Sequence, residues 1–149
     1  MRVPVWMLFG LIISVLLMDL ITVLTIRADM IEAVNIALDA AFVEGISEED
    51  LIKGKSVIDE TKARNAALTY FKKNLNLNNH LENNFLKNTK FEPAFKQNNI
   101  NSTKPMAVVT VSTTVSTMVP KLVGRDGINI TISKKQYFIS SYKNMAPEI

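Results

Sequence analysis

The sequence predicts an α+β protein, in which a long amino-terminal transmembrane helix continues into an outer domain of one or two helices packed on a small antiparallel sheet. Three observations carry that prediction. The chain opens on an apolar run from Val3 to Ile26 broken only by Asp19; apolar positions then recur at spacings of three and four; and the last third alternates between apolar and hydroxylated residues.

The opening run sets everything else. At about 1.5 Å per residue, about 24 residues make a helix of roughly 36 Å, enough to cross a hydrocarbon core of about 30 Å. A helix apolar on every side has no comparable place in water, and in lipid its backbone bonds close internally. The run exceeds the apolar centre of about 7–15 residues in a secretory signal, so an uncleaved anchor over residues 1–26 is expected, followed by one domain over 27–149. Arg2 precedes the span and Arg27 follows it, with Asp29 and Glu32 close behind. Acidic residues count little in the charge rule, so the expected arrangement is an inside amino terminus and an extracytoplasmic carboxy-terminal domain at the cytoplasmic membrane.

Within the span, Gly10 and Ser14 lie four apart, and Thr22 and Thr25 extend roughly the same face, a stripe that would let a second helix approach. The alternative is that the hydroxyls bond only to their own backbone carbonyls. Asp19 is costly at this depth, about 2.5–3.5 kcal/mol on insertion scales, and no cation of its own chain is within one or two turns. Gly10, Ser14, Asp19 and Thr22 are therefore the candidate helix-assembly contacts in the membrane.

Beyond the span, Ile31, Val34, Ala37 or Leu38, Ala41 and Phe42 continue the helix, and Gly45 is expected to end it in a left-handed conformation. Ser47 with Glu48, Glu49 and Asp50 starts a short second helix. Ser56 to Asn74 forms an amphipathic third, whose face of Ala63, Ala66, Ala67, Tyr70, Phe71 and Leu75 should pack on the sheet. Residues 76–103 are rich in Asn and Lys and are expected to be exposed loop, with a short helix around Leu81, Phe85 and Leu86 or an edge strand starting where Phe91 and Phe95 flank Pro93. Met106 to Val119 is the clearest strand: Ala107, Val109, Val111, Thr113, Val115, Thr117 and Val119 share one face. Pro120 ends it, Asp126-Gly127 supplies a tight turn, and Ile128, Ile130 and Ile132 mark the return strand. Tyr137 to Tyr142 is a further candidate strand, followed by a frayed tail from Met145.

Composition narrows the function. The net charge of +3, with both signs interspersed, is a solubility feature and gives no nucleic-acid footprint. The sequence has no Cys and a single His, His80, in a polar stretch, so a Cys/His zinc site is unavailable and no nucleophile-elbow Ser accompanies the histidine. The acidic groups at Glu48-Glu49-Asp50 and Asp59-Glu60 fit helix starts. Lys53-Gly54-Lys55-Ser56 ends like a phosphate loop but lacks its first Gly and preceding strand. The expectation is a non-enzymatic protein with no cofactor or metal, suited by its lack of Cys to a bacterial envelope. A single-pass protein displaying a ligand-binding or sensing domain is the alternative.

A short stub, a hydrophobic helix running into Ala33-Val34-Asn35-Ile36-Ala37-Leu38-Asp39-Ala40-Ala41, a second Ala-bearing helix ending Tyr70-Phe71-Lys72-Lys73-Asn74, and a late Val-x-Val hairpin together resemble the TadE/TadG-like minor pilins of tight-adherence (Flp) pilus systems. The resemblance covers most of the chain through arrangement and composition. It implies a pilin-like fold, a role in pilus assembly, adhesion or secretion, and as partners the lipid bilayer and other pilin-like or envelope assembly subunits in a homo- or hetero-oligomer. One departure is plain: type IV pilin-like proteins cut after a Gly carry Glu at the fifth mature position, and here the fifth residue after Gly10 is Val15.

Overall fold

The spine is α1 (Val5–Gly45), one unbroken helix of 41 residues and about 60 Å, in a computed structural model that describes residues 4–52, 56–96 and 104–138. Its two halves differ in kind. Large apolar side chains from Val5 to Leu17 stand exposed, whereas Met30, Ala33, Val34, Ala37, Leu38 and Ala41 are buried. The predicted continuation past the apolar run is thus present, and Ala at three of those buried positions lets another helix lie close.

That helix is α3 (Glu60–Asn74), reached through Ile46 and the short α2 (Glu48–Ile52). Its start is set by Asp59, whose Oδ1 accepts the Thr61 and Lys62 amides at 3.0 and 3.1 Å, rather than by Ser56. The charge of Asp59 also suits the positive end of the helix, as Lys72 and Lys73 suit the other. Ala63, Ala67 and Phe71 are buried and Tyr70 is partly exposed. The buried face packs chiefly along α1, and Phe71 reaches across to β1 of the sheet. The expected packing of α3 on the sheet is corrected accordingly.

Gly45 ends α1, though not by a left-handed turn, since positive φ among the described glycines occurs only at Gly124. The requirement is space. A Cβ on Gly45 would stand 2.7 Å from the Ala63 Cβ and 3.2 Å from the Ile58 side chain. Both neighbours are buried and rigid, so Gly45→Ala should lose about 1–3 kcal/mol of stability through overpacking. A thermal melt of the detergent-solubilised chain checks this, and an unchanged midpoint would show that the α1–α3 seam is slack.

The sheet is an antiparallel meander in the order β1-β2-β3, built from β1 (Leu86–Lys96), β2 (Met106–Val115) and β3 (Ile128–Tyr137). Phe91 pairs with Val111, and Val115 with Ile128. β2 lies in the middle and buries Ala107, Val109, Val111, Thr113 and Val115, as the alternation predicts. The buried Thr113 hydroxyl is 2.7 Å from that of Thr89 and 3.2 Å from the Lys87 carbonyl, so neither hydroxyl is stranded in the core. Phe71 stacks on Phe91 of β1 at 4.6 Å, Phe42 meets Phe138 at 5.7 Å, and Gln136 donates to Asp39 at 2.7 Å, which ties the sheet to both helices.

Three further expectations change. The edge strand expected where Phe91 and Phe95 flank Pro93 is present and longer than expected, running from Leu86 to Lys96 in place of a helix or loop, and Pro93 is tolerated because β1 is an edge strand. The strand after Met106 stops at Val115, and Met118–Leu122 forms a helical turn, α4, with Pro120 inside it rather than ending a strand. The β2–β3 connection is therefore longer than a two-residue Asp126-Gly127 turn. Gly127 is needed there because a Cβ would overlap the Val115 carbonyl oxygen. β3 runs on as far as Tyr137, and the rest of the candidate strand from Tyr137 to Tyr142, with the tail after it, lies from residue 139 on outside the described residues.

Candidate functional site

The candidate site is the bare half of α1 together with the pole of the head nearest to it. α3 runs back along α1, so that Asn74 and Leu75 come to rest near Ile26, Asp29 and Ala33, with Leu86 at the start of β1 beside them. Val115 and Ile128 pair at that same end of the sheet. α4 hangs from this pole, and α1 passes through it unbroken.

The half-covered residues of the apolar segment are Val15, Asp19, Thr22, Val23 and Ile26. At about 100° per residue they cluster on one side of the helix, roughly opposite Gly10. The head thus leans on one face of α1 as far down as Asp19. Gly10 and Ser14 are exposed on the other face, and a Cβ placed on Gly10 would meet nothing within 4 Å. Ser14 donates its hydroxyl to the Gly10 carbonyl at 2.9 Å, and Thr22 donates to the Met18 carbonyl at 2.9 Å. Both hydroxyls are therefore satisfied within the helix, but Thr22 lies on the side where the head leans, so the open small-residue surface is that of Gly10 and Ser14 alone.

Asp19 has a different partner from any the sequence suggested. Its Oδ1 accepts the Met118 amide at 3.0 Å and its Oδ2 the Val119 amide at 2.6 Å. Thr117 occupies the cap position of α4 but makes no side-chain cap bond. Asp19, about a hundred residues earlier, takes over that task, joining a carboxylate that needs donors to amides that need an acceptor. The clasp fixes α4 against α1. Sequence reasoning marked Asp19 as needing a partner, but a backbone partner so distant in the chain leaves no local signal.

A cavity of about 320 Å³ at the pole is lined by Ile26, Asp29, Glu32, Asn74, Asn76, Asn83 and Phe85 among others. His80 sits exposed in the turn after α3, where its amide donates to the Asn78 side chain at 2.8 Å. Among the described residues no His, Cys, Asp and Glu cluster is placed to hold a metal. α1 is long and apolar enough to cross a membrane, and no residue of its most apolar window is buried by the rest of the chain. No family model, curated protein or solved structure matches this chain.

Proposed function

We propose that this chain is a membrane-anchored, non-enzymatic assembly subunit, a minor pilin or pseudopilin of the tight-adherence kind, with its head on the extracytoplasmic side of the cytoplasmic membrane. One observation carries the reading. A single rigid helix is both the bare apolar segment and the central packing element of the α+β head, so whatever holds the first half laterally also orients the second. A flexible tether would suffice to keep a domain near a membrane. An unbroken spine transmits position and rotation from neighbour to neighbour, which is what an assembly subunit needs.

The Gly10–Ser14 face supplies the surface for a neighbouring helix, because its small side chains permit close approach and the head leans on the opposite side. The competing reading, a single-pass sensor, would instead place a ligand in the cavity beside Asp29 and Glu32, and it has no use for the Gly10 face. Measuring intact mass in washed membranes and in the sheared surface fraction of the native host separates the two. The wild-type chain should appear in the sheared fraction. Gly10→Leu, at an exposed position where an added Cβ meets nothing within 4 Å, should remain folded in membranes and be lost from that fraction. Wild-type chain confined to membranes as a monomer would sink the assembly reading.

A further inference from the structure

Among the described residues, α4 hydrogen-bonds α1 at Asp19, well into the apolar segment. Asp19, which it grips, lies about 10 Å along the helix axis below Ile26, at the usual rise of about 1.5 Å per residue. The turn is firm: Val123 and Arg125 donate their amides to the Pro120 carbonyl at 3.1 and 2.9 Å, and Gly124 donates to Lys121 at 3.2 Å. From this fixed prong Met118, Leu122 and Val123 project with 67%, 80% and 70% of their surface exposed. Nothing in the packing of the head calls for large apolar residues there.

We propose that α4 is a second membrane contact, a prong that enters the headgroup layer beside α1 and buries Met118, Leu122 and Val123 at the edge of the acyl chains. The inference rests on the anchored reading of α1. Three observations favour lipid over other occupants. The apolar prong is continuous with the bare surface of α1, so a bilayer that surrounds the one reaches the other. Basic groups accompany it: Lys121 and Arg125 line the adjoining groove with Lys87, Glu82 and Asp126. Lys87 is already paired with Glu82 at 3.9 Å, which leaves Lys121 and Arg125 against Asp126 alone and suits anionic headgroups. The Asp19 clasp itself fits a place poor in water, because it satisfies a carboxylate and two helix-start amides that would each be expensive to leave bare. Below the clasp, α1 from Val5 to Met18, about 21 Å long, is bare apart from half-covered Val15, and the prong and its basic rim complete the outer edge of the span.

The sequence has no Cys, so single labels report cleanly. The full chain is reconstituted in phosphatidylcholine–phosphatidylglycerol vesicles with an environment-sensitive fluorophore on Leu122→Cys, Ile12→Cys or Val43→Cys, the last being exposed near the far end of α1. Position 122 should show blue-shifted emission, quenching by nitroxides near the headgroups, and several-fold less iodide quenching than position 43. Adding Lys121→Glu and Arg125→Glu should restore iodide access at 122. If 122 is as open to iodide as 43 while 12 is quenched by deep nitroxides, the prong is not in lipid and the anchor stands. If 12 escapes deep nitroxides as well, the anchored reading falls and takes the prong with it. Shielding at 122 that ignores lipid nitroxides and disappears on dilution into excess lipid would assign the prong to a second copy, and would overturn the inference.

Discussion

Ile12→Lys combined with Leu16→Lys should abolish stable membrane insertion while leaving the head folded. The two positions lie one turn apart in the bare half of α1, and both are about half exposed, with no contact to the core of the head. A lysine at the centre of a span costs about 2.5–3.5 kcal/mol on insertion scales, so the pair asks for about 5–7 kcal/mol, roughly four to five orders of magnitude in partitioning. Asp19 does not soften this, because its carboxylate is already held by Met118 and Val119. The double variant should be released by alkaline carbonate, whereas the wild type stays with the membrane pellet. Melting of the head should be unchanged, since Met30 and the residues after it form the core independently of positions 12 and 16. The outcome discriminates sharply: were the bare half simply the surface of a water-soluble helix, two lysines would improve solubility and alter nothing else. Retention of the double variant in the pellet would mean that something other than insertion holds the chain there.

The parts of this fold that sequence reasoning reaches are those with a local period. The apolar run and the three-and-four spacing after it give α1, and the strict alternation from Ala107 to Thr117 gives β2 with its buried face correctly chosen. β1 hides because its period is interrupted. Its register shifts between Lys87 and Lys90, Asn88 takes a φ of 51°, and the burial phase after the bulge differs from that of Leu86. Thr89, Phe91, Pro93 and Phe95 keep the alternation, and only the aromatic pair was conspicuous. α4 hides for a different reason: Val119 and Pro120 read as the end of a strand, and the group that caps the turn is Asp19, far away in sequence. Gly45 shows the same limit at a single residue. A glycine at a helix end suggests a left-handed turn, yet the closeness of Ala63 is what excludes a Cβ. For the candidate site, composition identified the span and the small-residue stripe, while the leaning of the head toward Asp19 depends on how four elements meet.

Phe71→Ala should be the most damaging single truncation in the head, costing about 3–5 kcal/mol. Amphipathicity places Phe71 on the buried side of α3 but does not say what it joins. In the folded chain its ring is fully buried and stacks on Phe91 at 4.6 Å, with the planes inclined by 27°. It therefore fills the corner where α3 passes between α1 and the edge strand β1. Among the described residues β1 has one strand neighbour, β2, and its other support is this aromatic contact together with the burial of Leu86 and Phe95. Removing the ring leaves a cavity between elements that Ala63 and Ala67 already hold in close contact elsewhere, so collapse to fill it would require α3 to tilt on its alanine seam. Phe71→Leu keeps most of the volume and loses only the stacking, about 0.5–1.5 kcal/mol, together with part of the fit. Circular-dichroism melts of the full chain in detergent should rank wild type, Phe71→Leu and Phe71→Ala in that order. The truncation should also raise hydrogen exchange in β1 before β2. Equal midpoints for Phe71→Ala and wild type would show that α3 is held by the Ala63 and Ala67 contacts alone. The carbonate-resistant association of α1 with membranes should survive both substitutions, because the bare half of the helix and the corner under Phe71 share no side-chain contact.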